Sequence, residues 1–354
     1  MRDPVPLNEP VEARPGPVLV WGAGAMGGVL GAHMAAAGQR VTLVDRDAEH
    51  VAAMRERGLR ISGPVAELTT RPEALLPDEV RGRFALIFLA VKAHDTGPAV
   101  ARLAEHLAPD GAVVSVQNGL NERLIARAVG AARTVGCFVN FGADVVAPGV
   151  VHLGGRGAVV VGELDGVVRE RTGHIHRLLA LYEPNALLSE NIQGYLWAKL
   201  AYGALLFATA LTDAPIADVL AAPEHRPRLV ALAREVVAVA LALGISPEPF
   251  DGFDPGAFRP DAGNDAAAAS LDRLVEFNRR SAKTHSGVWR DLAVHRRRTE
   301  VDAQMGVVPP LAAGVGVPTP GLERLVELIH DVEEGRRRQG WDTLAALGPL
   351  PAAR

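Results

Sequence analysis

A glycine-rich loop near the start of the chain, Gly22-Ala23-Gly24-Ala25-Met26-Gly27, has the spacing of loops that bind the pyrophosphate of a dinucleotide. In such loops the first glycine permits a tight turn, the second lets phosphate approach the backbone, and the third lets the next helix pack on the sheet. Amide hydrogens at the start of that helix then face the phosphate charge. An apolar run precedes the loop and small residues follow it, so the sequence predicts a dinucleotide site rather than an ordinary turn.

Two charged residues at the end of the next predicted strand bear on the choice of dinucleotide. The carboxylate of Asp45 favours the ribose diol of NAD(H), whereas the guanidinium of Arg46 favours the 2′-phosphate of NADP(H). Each residue also has an ordinary interpretation, Asp45 as a turn residue or helix cap and Arg46 as a solvated cation. The two residues by themselves leave the cofactor open.

Lysine is rare in this chain: only three of the 37 lysine and arginine residues are lysines, namely Lys92, Lys199 and Lys283. A lysine kept where arginine is the rule is a candidate for proton transfer, because a desolvated lysine can lose its proton near neutral pH and arginine cannot. Lys199 lies in an apolar helical segment, where partial desolvation suits it as a general acid. The alternative is a lysine whose stem lies at an interface while its ammonium reaches solvent.

Lys92 and Asn118 each follow a predicted buried strand. Ligands of open α/β sheets bind outside the carboxyl ends of the strands, so both residues are candidates for the site. Asn118 would hold a carboxamide or a substrate oxygen, or else simply form an Asn-Gly turn. Lys92 would hold an anionic substrate group or the cofactor, or else lie in solvent.

Further along the chain, Glu300 and Ser286 are weaker candidates. A carboxylate at Glu300 would orient a catalytic lysine or bind a substrate hydroxyl, although it also fits a solvated acid paired with the arginines of residues 296–298. The Ser286 hydroxyl would bind a substrate carboxylate, or cap a helix. His174 and His176 have no third ligand nearby in sequence, so we expect no metal site.

The elements that must position these residues alternate between strand and helix in the first half of the chain, which predicts a doubly wound parallel sheet. Glycine-rich runs within residues 134–163 predict later strands that extend this sheet and fold over its edge. After about residue 189 long apolar helices follow. We therefore expect an α/β fold with a Rossmann-type domain over residues 17–188 and an all-α domain over residues 189–339. Residues 1–16 and 340–354 are predicted to be loose tails, and residues 247–265 a loop or insertion.

Composition excludes several classes of function. The net charge of −4 gives no attraction to nucleic acid or to an anionic membrane surface. The sequence contains no apolar run of the roughly 18 to 20 residues that a membrane span needs. A single cysteine, Cys137, excludes an internal disulfide and a cysteine metal cluster. We expect a cytoplasmic protein that acts on a small molecule, and its apolar helical half is compatible with a homodimer.

The chain resembles the ketopantoate reductase family from about Pro17 to His330. The resemblance rests on the order of six segments: the glycine loop, Val91-Lys92-Ala93, Gln117-Asn118-Gly119, Gly149-Val150-Val151-His152, Leu196-Trp197-Ala198-Lys199-Leu200 and Thr299-Glu300-Val301-Asp302. It implies reduction of a 2-keto acid by NADPH in a cleft between two domains. It also implies that Lys199 is the catalytic acid, that Glu300 supports it, that Asn118 and Lys92 lie in the cleft, and that Arg46 contacts the 2′-phosphate. NADP(H) is thus the expected cofactor, with NAD(H) kept open by Asp45.

The sequence departs from the family pattern one and two turns after Lys199. Members that act on ketopantoate carry asparagines there, where this chain has Gly203 and Phe207. A site without those hydrogen-bond partners discriminates poorly for a hydroxylated substrate, so we expect a keto acid with a less polar side chain to fit as well. Ser286 matches the serine segment of the family only with a slip of one residue.

Two other hypotheses compete with keto acid reduction. One is a β-hydroxyacid or opine-type dehydrogenase on the same two-domain plan, which would not need the pair of Lys199 and Glu300. The other is a protein that senses a dinucleotide without turning it over, against which the retention of Lys199 argues.

Overall fold

The central strand of the protein is β1 (Val18–Trp21), four apolar residues that are all buried. The computed structural model describes residues 16–280 and 284–348. In it β1 lies between β2 (Val41–Val44) and β6 (Phe84–Leu89) and is parallel to both. Parallel strands covered on both faces are expected to be continuously apolar, and the sequence of β1 has this property.

Eight strands of the described residues form the larger sheet, in the order β12-β11-β8-β7-β6-β1-β2-β5. All neighbours are parallel except β8 and β11, which pair antiparallel with Val139 opposite Val159. The remaining strands are β5 (Glu73–Leu75), β7 (Leu107–Ser115), β8 (Thr134–Val139), β11 (Val159–Glu163) and β12 (Leu187–Leu188). The order of the six strands from β5 to β8 is that of a Rossmann sheet, which confirms the predicted fold class of this half.

Five helices accompany the sheet: α1 (Ala25–Ala36), α2 (Ala48–Arg57), α3 (Thr96–Leu103), α4 (Glu122–Val129) and α5 (Glu170–Ala180). They bury apolar residues on both faces of the sheet, in two separate clusters. A crossover helix is the ordinary connection between parallel strands, so the alternation seen in the sequence is a direct consequence of this topology.

The register of the strands brings their carboxyl ends to one edge. Trp21 lies opposite both Val44 and Leu89, and Leu89 lies opposite Ser115. The loops that follow these four strands therefore share the same edge of the sheet. This edge holds the glycine loop and the residues that follow β2, β6 and β7.

A second sheet corrects the expectation for residues 134–163. Only β8 and β11 extend the larger sheet, whereas the predicted strand at residues 149–153 does not. It is β10 (Val150–Gly155), which pairs with β9 (Gly142–Ala147) and β3 (Leu59–Ser62) in the order β4-β3-β10-β9, with β4 at Leu68–Thr70. The reason is local: the chain turns back after β9, and β10 then finds a parallel partner in β3, with Val150 opposite Arg60.

From residue 192 onward the structure is helical, as predicted. The helices are α6 (Ile192–Thr209), α7 (Ile216–Ala221), α8 (Arg226–Ala242), α9 (Asn264–Arg280), α10 (Gly287–Ala293), α11 (Val301–Gln304), α12 (Val308–Val315), α13 (Pro320–Glu333) and α14 (Trp341–Ala345). α6 is apolar on nearly every side, and it is buried at the centre of this half. Within the described residues, no helix has both the length and the apolar character needed to span a membrane.

Two segments expected to be loose are packed. The tail predicted to begin at residue 340 forms α14 instead, in which Leu344 is fully buried and Trp341 stacks on His225. Residues 349–354, and all of the predicted N-terminal tail except Gly16, lie outside the described residues. Residues 247–265 are mostly irregular, but Phe253 and Phe258 are buried in the helical core. Apolar side chains decide both outcomes, because their burial outweighs the freedom of a short polar segment.

The two halves of the chain share one core. Phe138 on β8 and Val160 on β11 belong to the same buried cluster as α6. The division into domains at residue 189 stays a prediction, since α6 packs directly on the sheet that precedes it.

Candidate active site

The three glycines of the motif between β1 and α1 are explained by different features of the structure. Gly22 has a φ of +103°, and a Cβ there would lie 2.8 Å from the carbonyl carbon of Ala90. A Cβ on Gly27 would lie 2.0 Å from the backbone oxygen of Gly22. A Cβ on Gly24, by contrast, would meet nothing within 4 Å. The first and third glycines are thus required by the fold, and the second keeps an open face beside the helix.

That open face fits the pyrophosphate of a dinucleotide. Gly24 caps α1 without any side-chain hydrogen bond, and the first turn of the helix carries no acidic residue. Its backbone N–H groups therefore face the open side with the positive end of the helix dipole and no competing charge. Of the other motif residues, Ala23 is buried in the loop and Ala25 and Met26 begin α1, and contact of these three with a cofactor stays a prediction.

A histidine that the sequence did not single out holds this loop in place. His50 on α2 is buried, and its Nδ1 accepts from the N–H of Gly149 at 3.0 Å. Its Nε2 must then carry the proton, which it donates to the carbonyl oxygen of Ala23 at 3.1 Å. The ring therefore ties the glycine loop to the turn between β9 and β10. Only the tertiary structure brings these three segments together.

At the end of β2, Asp45 and Arg46 have different surroundings. Asp45 Oδ1 accepts from the backbone N–H of Asp47 at 3.0 Å, which is the turn-forming role considered for it. Arg46 is 75% exposed and forms an ion pair with Asp95, 2.9 Å from Nη1 to Oδ1. Asp95 belongs to the loop after β6, so Arg46 extends along the edge where the glycine loop lies.

Lys92 and Glu300 join the two halves of the chain. Lys92 follows β6, and its Nζ lies 2.7 Å from Oδ2 of Asp291 on α10. Glu300 Oε1 accepts from the backbone N–H of Ala93 at 2.7 Å, and its Oε2 lies 3.9 Å from Lys92 Nζ. Arg297 also pairs with Asp291, at 2.7 Å. The solvated pairing of Glu300 with neighbouring arginines is not what the structure shows.

Lys199 lies on the face of α6 that covers the end of β8. Its ammonium donates to the carbonyl oxygen of Val139 and lies 5.2 Å from the centre of the Phe138 ring. Burial lowers the pKa of Lys199 to about 8, and the negative charges of Glu300, Asp251 and Glu122 act in the opposite direction. A lysine with this proton affinity is protonated at neutral pH and able to give the proton away.

Asn118 is exposed at the carboxyl edge, and within the described residues its side chain has no hydrogen-bond partner. The next residue, Gly119, has a φ of +98°. A Cβ there would lie 2.8 Å from the backbone oxygen of Ala303, which belongs to α11. The Asn118 carbonyl accepts from Asn121 Nδ2 at 2.7 Å. The Asn-Gly segment therefore forms a tight turn close to the helical half and leaves the Asn118 side chain exposed.

The other predicted substrate residues are placed less favourably. Ser286 is buried and its Oγ accepts from the N–H of Trp289 at 3.1 Å, which is the helix-capping alternative. Phe207 is fully buried in the helical core, so its ring packs there. Gly203 is partly open, and a Cβ on it would lie 3.5 Å from Met305 Cε. Direct substrate contact by any of these three residues stays a prediction.

The sequence of the chain matches two family models. One, described as Ketopantoate reductase PanE/ApbA, matches residues 18–166, and the other, its C-terminal domain, matches residues 191–333. The chain belongs to the ketopantoate reductase family. It is accordingly an oxidoreductase, and the resemblance stated from its motifs is confirmed.

Relatives and solved structures agree with this assignment. A 2-dehydropantoate 2-reductase of Halobacterium salinarum is 27% identical over 317 residues, covering 88% of this chain and 97% of that protein. One from Pyrococcus abyssi is 34% identical over 185 residues, covering 51% and 59%. The fold is shared with a D-mandelate dehydrogenase solved with NADH and anilino(oxo)acetate (TM-score 0.77, 24% identity, covering 90% of this chain and 99% of that one). It is also shared with a ketopantoate reductase of Ralstonia eutropha (TM-score 0.76, 24% identity, covering 91% and 99%).

Three charged residues near Lys199 and Lys92 in this ketopantoate reductase family member were missed by the sequence reasoning. Asp291 pairs with Lys92, Asp251 accepts from Asn140 Nδ2 at 2.7 Å, and Glu122 is a buried acid at the start of α4. The position of Glu122, four residues after Asn118, could have indicated that it lies near the candidate site. An acid in the first turn of a helix is, however, common for reasons of the helix dipole alone.

Proposed function

We propose that this protein reduces the ketone of a 2-keto acid to a 2-hydroxy acid with NADPH, and that Lys199 is the general acid. The observation that supports the proposal most is the position of Lys199. Its desolvated ammonium is influenced by the charges of three carboxylates, and it binds the carbonyl of Val139 at the end of β8, on the same edge of the sheet as the glycine loop. A carbonyl reductase needs this combination, since a hydride and a proton must reach the two atoms of one C=O bond.

A nicotinamide cofactor, held by the glycine loop, would supply the hydride for the ketone carbon. Lys199 donates a proton from Nζ to the oxygen as negative charge develops there, and the lysine is left as a neutral amine. The carbonyl of Val139 holds the ammonium in place before the reaction. Carbonyl carbon and oxygen thus gain one hydride and one proton, which gives the hydroxyl group of the product.

Lys92 is suited to bind the carboxylate of the substrate. Its ammonium is about one-third exposed, and Asp291 retains Arg297 as a partner when Lys92 turns to another anion. We propose that Asn118, whose side-chain amide is exposed, holds a carboxamide or a substrate oxygen. Glu300 anchors the loop of Lys92 through the N–H of Ala93 and helps to keep Lys199 protonated.

The side chain of the substrate is proposed to be less polar than that of ketopantoate. Gly203 offers no hydrogen bond, and Phe207 is a buried ring in place of a polar contact. The D-mandelate dehydrogenase of similar fold was solved with an aryl-substituted ligand, anilino(oxo)acetate. A branched or aryl 2-keto acid is therefore included in the substrate range that we propose.

We propose NADPH rather than NADH because the side chain of Arg46 is freer to bind a cofactor than that of Asp45. The Asp45 carboxylate already forms a turn with Asp47, whereas Arg46 is exposed and has only a surface ion pair to give up. The cytoplasmic location and the homodimer expected from the sequence stay predictions.

The test is a spectrophotometric assay of NADPH and NADH oxidation. The panel of substrates contains ketopantoate, pyruvate, a branched 2-keto acid and phenylglyoxylate, with a β-keto acid and an amino acid plus keto acid mixture as alternatives. We expect oxidation of NADPH with the less polar 2-keto acids at least as fast as with ketopantoate. Turnover only with the β-keto acid or the amino acid mixture would support the other dehydrogenase classes, and no turnover with cofactor binding intact would support a sensor.

A further inference from the structure

Glu122 is buried to 2% exposure at the start of α4, and neither of its carboxyl oxygens has a hydrogen-bond partner among the described residues. Burial of a carboxylate without a partner is unfavourable by several kcal/mol in general. Proteins therefore retain such a group only where something other than stability requires it. Glu122 is the largest departure from that rule in the described part of the chain.

The other buried carboxylates provide the comparison. Glu163 pairs with Arg171, Glu183 with Arg156, and Asp291 with Lys92. Glu235 accepts from the backbone N–H groups that begin α13. Each of the four is thus neutralised or hydrogen-bonded, while Glu122 is not. Its burial is therefore not a general property of acids in this fold.

The position of Glu122 shows what its charge acts on. α4 and α6 both pack against β8, and Glu122 begins the first of these helices while Lys199 lies on the second. Burial raises the pKa of Glu122 to about 7, while its own backbone N–H, the hydroxyl of Ser115 and the charge of Lys199 act, in decreasing order, in the opposite direction. The charge of Glu122 in turn raises the pKa of Lys199.

The other groups that face Lys199 are accounted for. Burial raises the pKa of Cys137 on β8 to about 12, so this thiol is neutral whenever Lys199 titrates. Glu300 before α11 and Asp251 before α9 also carry negative charge, but both are hydrogen-bonded elsewhere, to Ala93 N–H and to Asn140. Glu122 alone among the three carboxylates has no other partner in the described residues to stabilise.

We propose that Glu122 is a positioning residue for the reaction, a carboxylate kept without a hydrogen-bond partner so that its charge holds Lys199 in the ammonium form. This inference rests on the proposed role of Lys199 as the acid. As Glu122 ionises, Lys199 binds its proton more tightly, so the acid form of the lysine persists to higher pH. Without Glu122 the reductase would lose its acid closer to neutral pH.

The scarcity of lysine gives a direct test. A protein labelled with 13C at the lysine ε carbon shows signals from only three lysines, and Lys199→Arg assigns the relevant one. In Glu122→Gln we expect the titration midpoint of Lys199 to fall by about half a pH unit or more, as loss of a nearby opposite charge requires. Glu122→Asp, which keeps the charge, should restore most of the shift. An unchanged midpoint in Glu122→Gln would overturn the inference.

Two further variants, one of them a matched control, test whether charge is the cause. Cys137→Ala removes a thiol that is neutral in this range, so its Lys199 midpoint should stay close to that of wild type. Ser115→Ala removes a hydroxyl that lowers the pKa of Glu122, so it should move the Lys199 midpoint in the same direction as Glu122→Gln but less far. A shift in Cys137→Ala as large as in Glu122→Gln would mean that repacking, and not charge, moves the lysine.

Stability against pH supplies a readout that does not depend on activity. The folded pKa of Glu122 is raised from 4.5 to about 7, so the folded state binds the proton more tightly than the unfolded state. The stabilising contribution is therefore complete below about pH 4.5 and is lost as pH rises through 7. The Tm of Glu122→Gln relative to that of wild type should therefore increase as the pH rises from 5 to 8.

The two proposals fail in distinguishable ways. If the Lys199 midpoint falls in Glu122→Gln but no keto acid is reduced, the effect of Glu122 on the pKa of Lys199 is supported and the proposed function is not. If reduction is found and the alkaline limb of its pH profile is the same in Glu122→Gln as in wild type, the function stands and the role of Glu122 is refuted.

Discussion

The glycine loop and the Lys199 cluster, formed by Lys199, Glu122, Asp251 and Glu300, lie at the same edge of the larger sheet, yet they are built in opposite ways. The loop is made of backbone: Gly22 and Gly27 are fixed by contacts too close for any Cβ, and the phosphate face is formed by N–H groups. The Lys199 cluster is made of side chains, an ammonium on α6 and carboxylates from α4, the segment before α9 and the segment before α11. On the proposed function, the loop would bind the cofactor through its backbone and the Lys199 cluster would act through its charges.

This difference determines what a substitution does in each region. A substitution in the Lys199 cluster removes a charge or a proton donor, together with the hydrogen bonds that Lys199 and Glu300 form to the backbone. A methyl group added to the loop changes the backbone itself, unless it points into the space kept for the phosphate. The predictions below test that contrast.

The largest effect is expected for Lys199→Ala. Loss of the general acid should lower kcat for keto acid reduction by about 10²-fold or more, since proton donation typically contributes that much. Binding of NADPH, measured by fluorescence titration, should remain nearly unchanged because the lysine does not belong to the loop. In wild type the rate of reduction should fall as pH rises above about 8, when the acid form is lost.

Lys199→Arg separates charge from proton transfer at the same position. Arginine keeps the positive charge but does not release a proton near neutral pH. It should therefore remain as slow as Lys199→Ala, although added bulk also contributes. Turnover close to wild type in either variant would show that Lys199 is not the general acid.

The second prediction compares the same substitution, glycine to alanine, at two positions of the glycine motif, where we expect different effects. Gly27→Ala places a Cβ 2.0 Å from the Gly22 oxygen, so it should destabilise the fold by about 1–3 kcal/mol as overpacking does. Gly24→Ala meets no protein atom within 4 Å and has a φ of −66° that alanine adopts, so its Tm should change little. Its dissociation constant for NADPH should nevertheless rise about tenfold, or about 1.4 kcal/mol.

Thermal denaturation and cofactor titration of the two variants decide the matter. A Gly24→Ala protein that binds NADPH as tightly as wild type would show that the open face is not the phosphate site. Equal losses of stability in both variants would show that Gly24 is a structural residue like its neighbour.

The same contrast explains what the sequence predicted well. The glycine loop, β1, β2 and the fold class were all predictable, because local spacing and apolar runs determine them. The motif of Lys199 placed it correctly on the helix that opens the second half. These features depend on neighbours within a few residues along the chain.

What the sequence did not show depends on contacts between distant segments. Asp291 meets Lys92 across 199 positions, and His50 meets Gly149 across 99. The pairing of β10 with β3, and the burial of Leu344 after the predicted end of the fold, are of the same kind. No periodicity or motif encodes such contacts, because each partner alone is an ordinary acid, histidine, strand or apolar residue.

The smallest effect is expected at the rim between the two regions, for Arg46→Ala. Arg46 is 75% exposed, so removal of its ion pair with Asp95 should leave Tm unchanged. If its guanidinium binds the 2′-phosphate, the dissociation constant of NADPH should rise by about fivefold, or about 1 kcal/mol, with little change for NADH. High salt should reduce the difference, since exposed charges are screened. Arg40→Ala is the matched control, because Arg40 is exposed at the other end of β2. Equal weakening of NADPH and NADH in Arg46→Ala, or the same change in Arg40→Ala, would assign the cofactor preference to Asp45 and favour NADH.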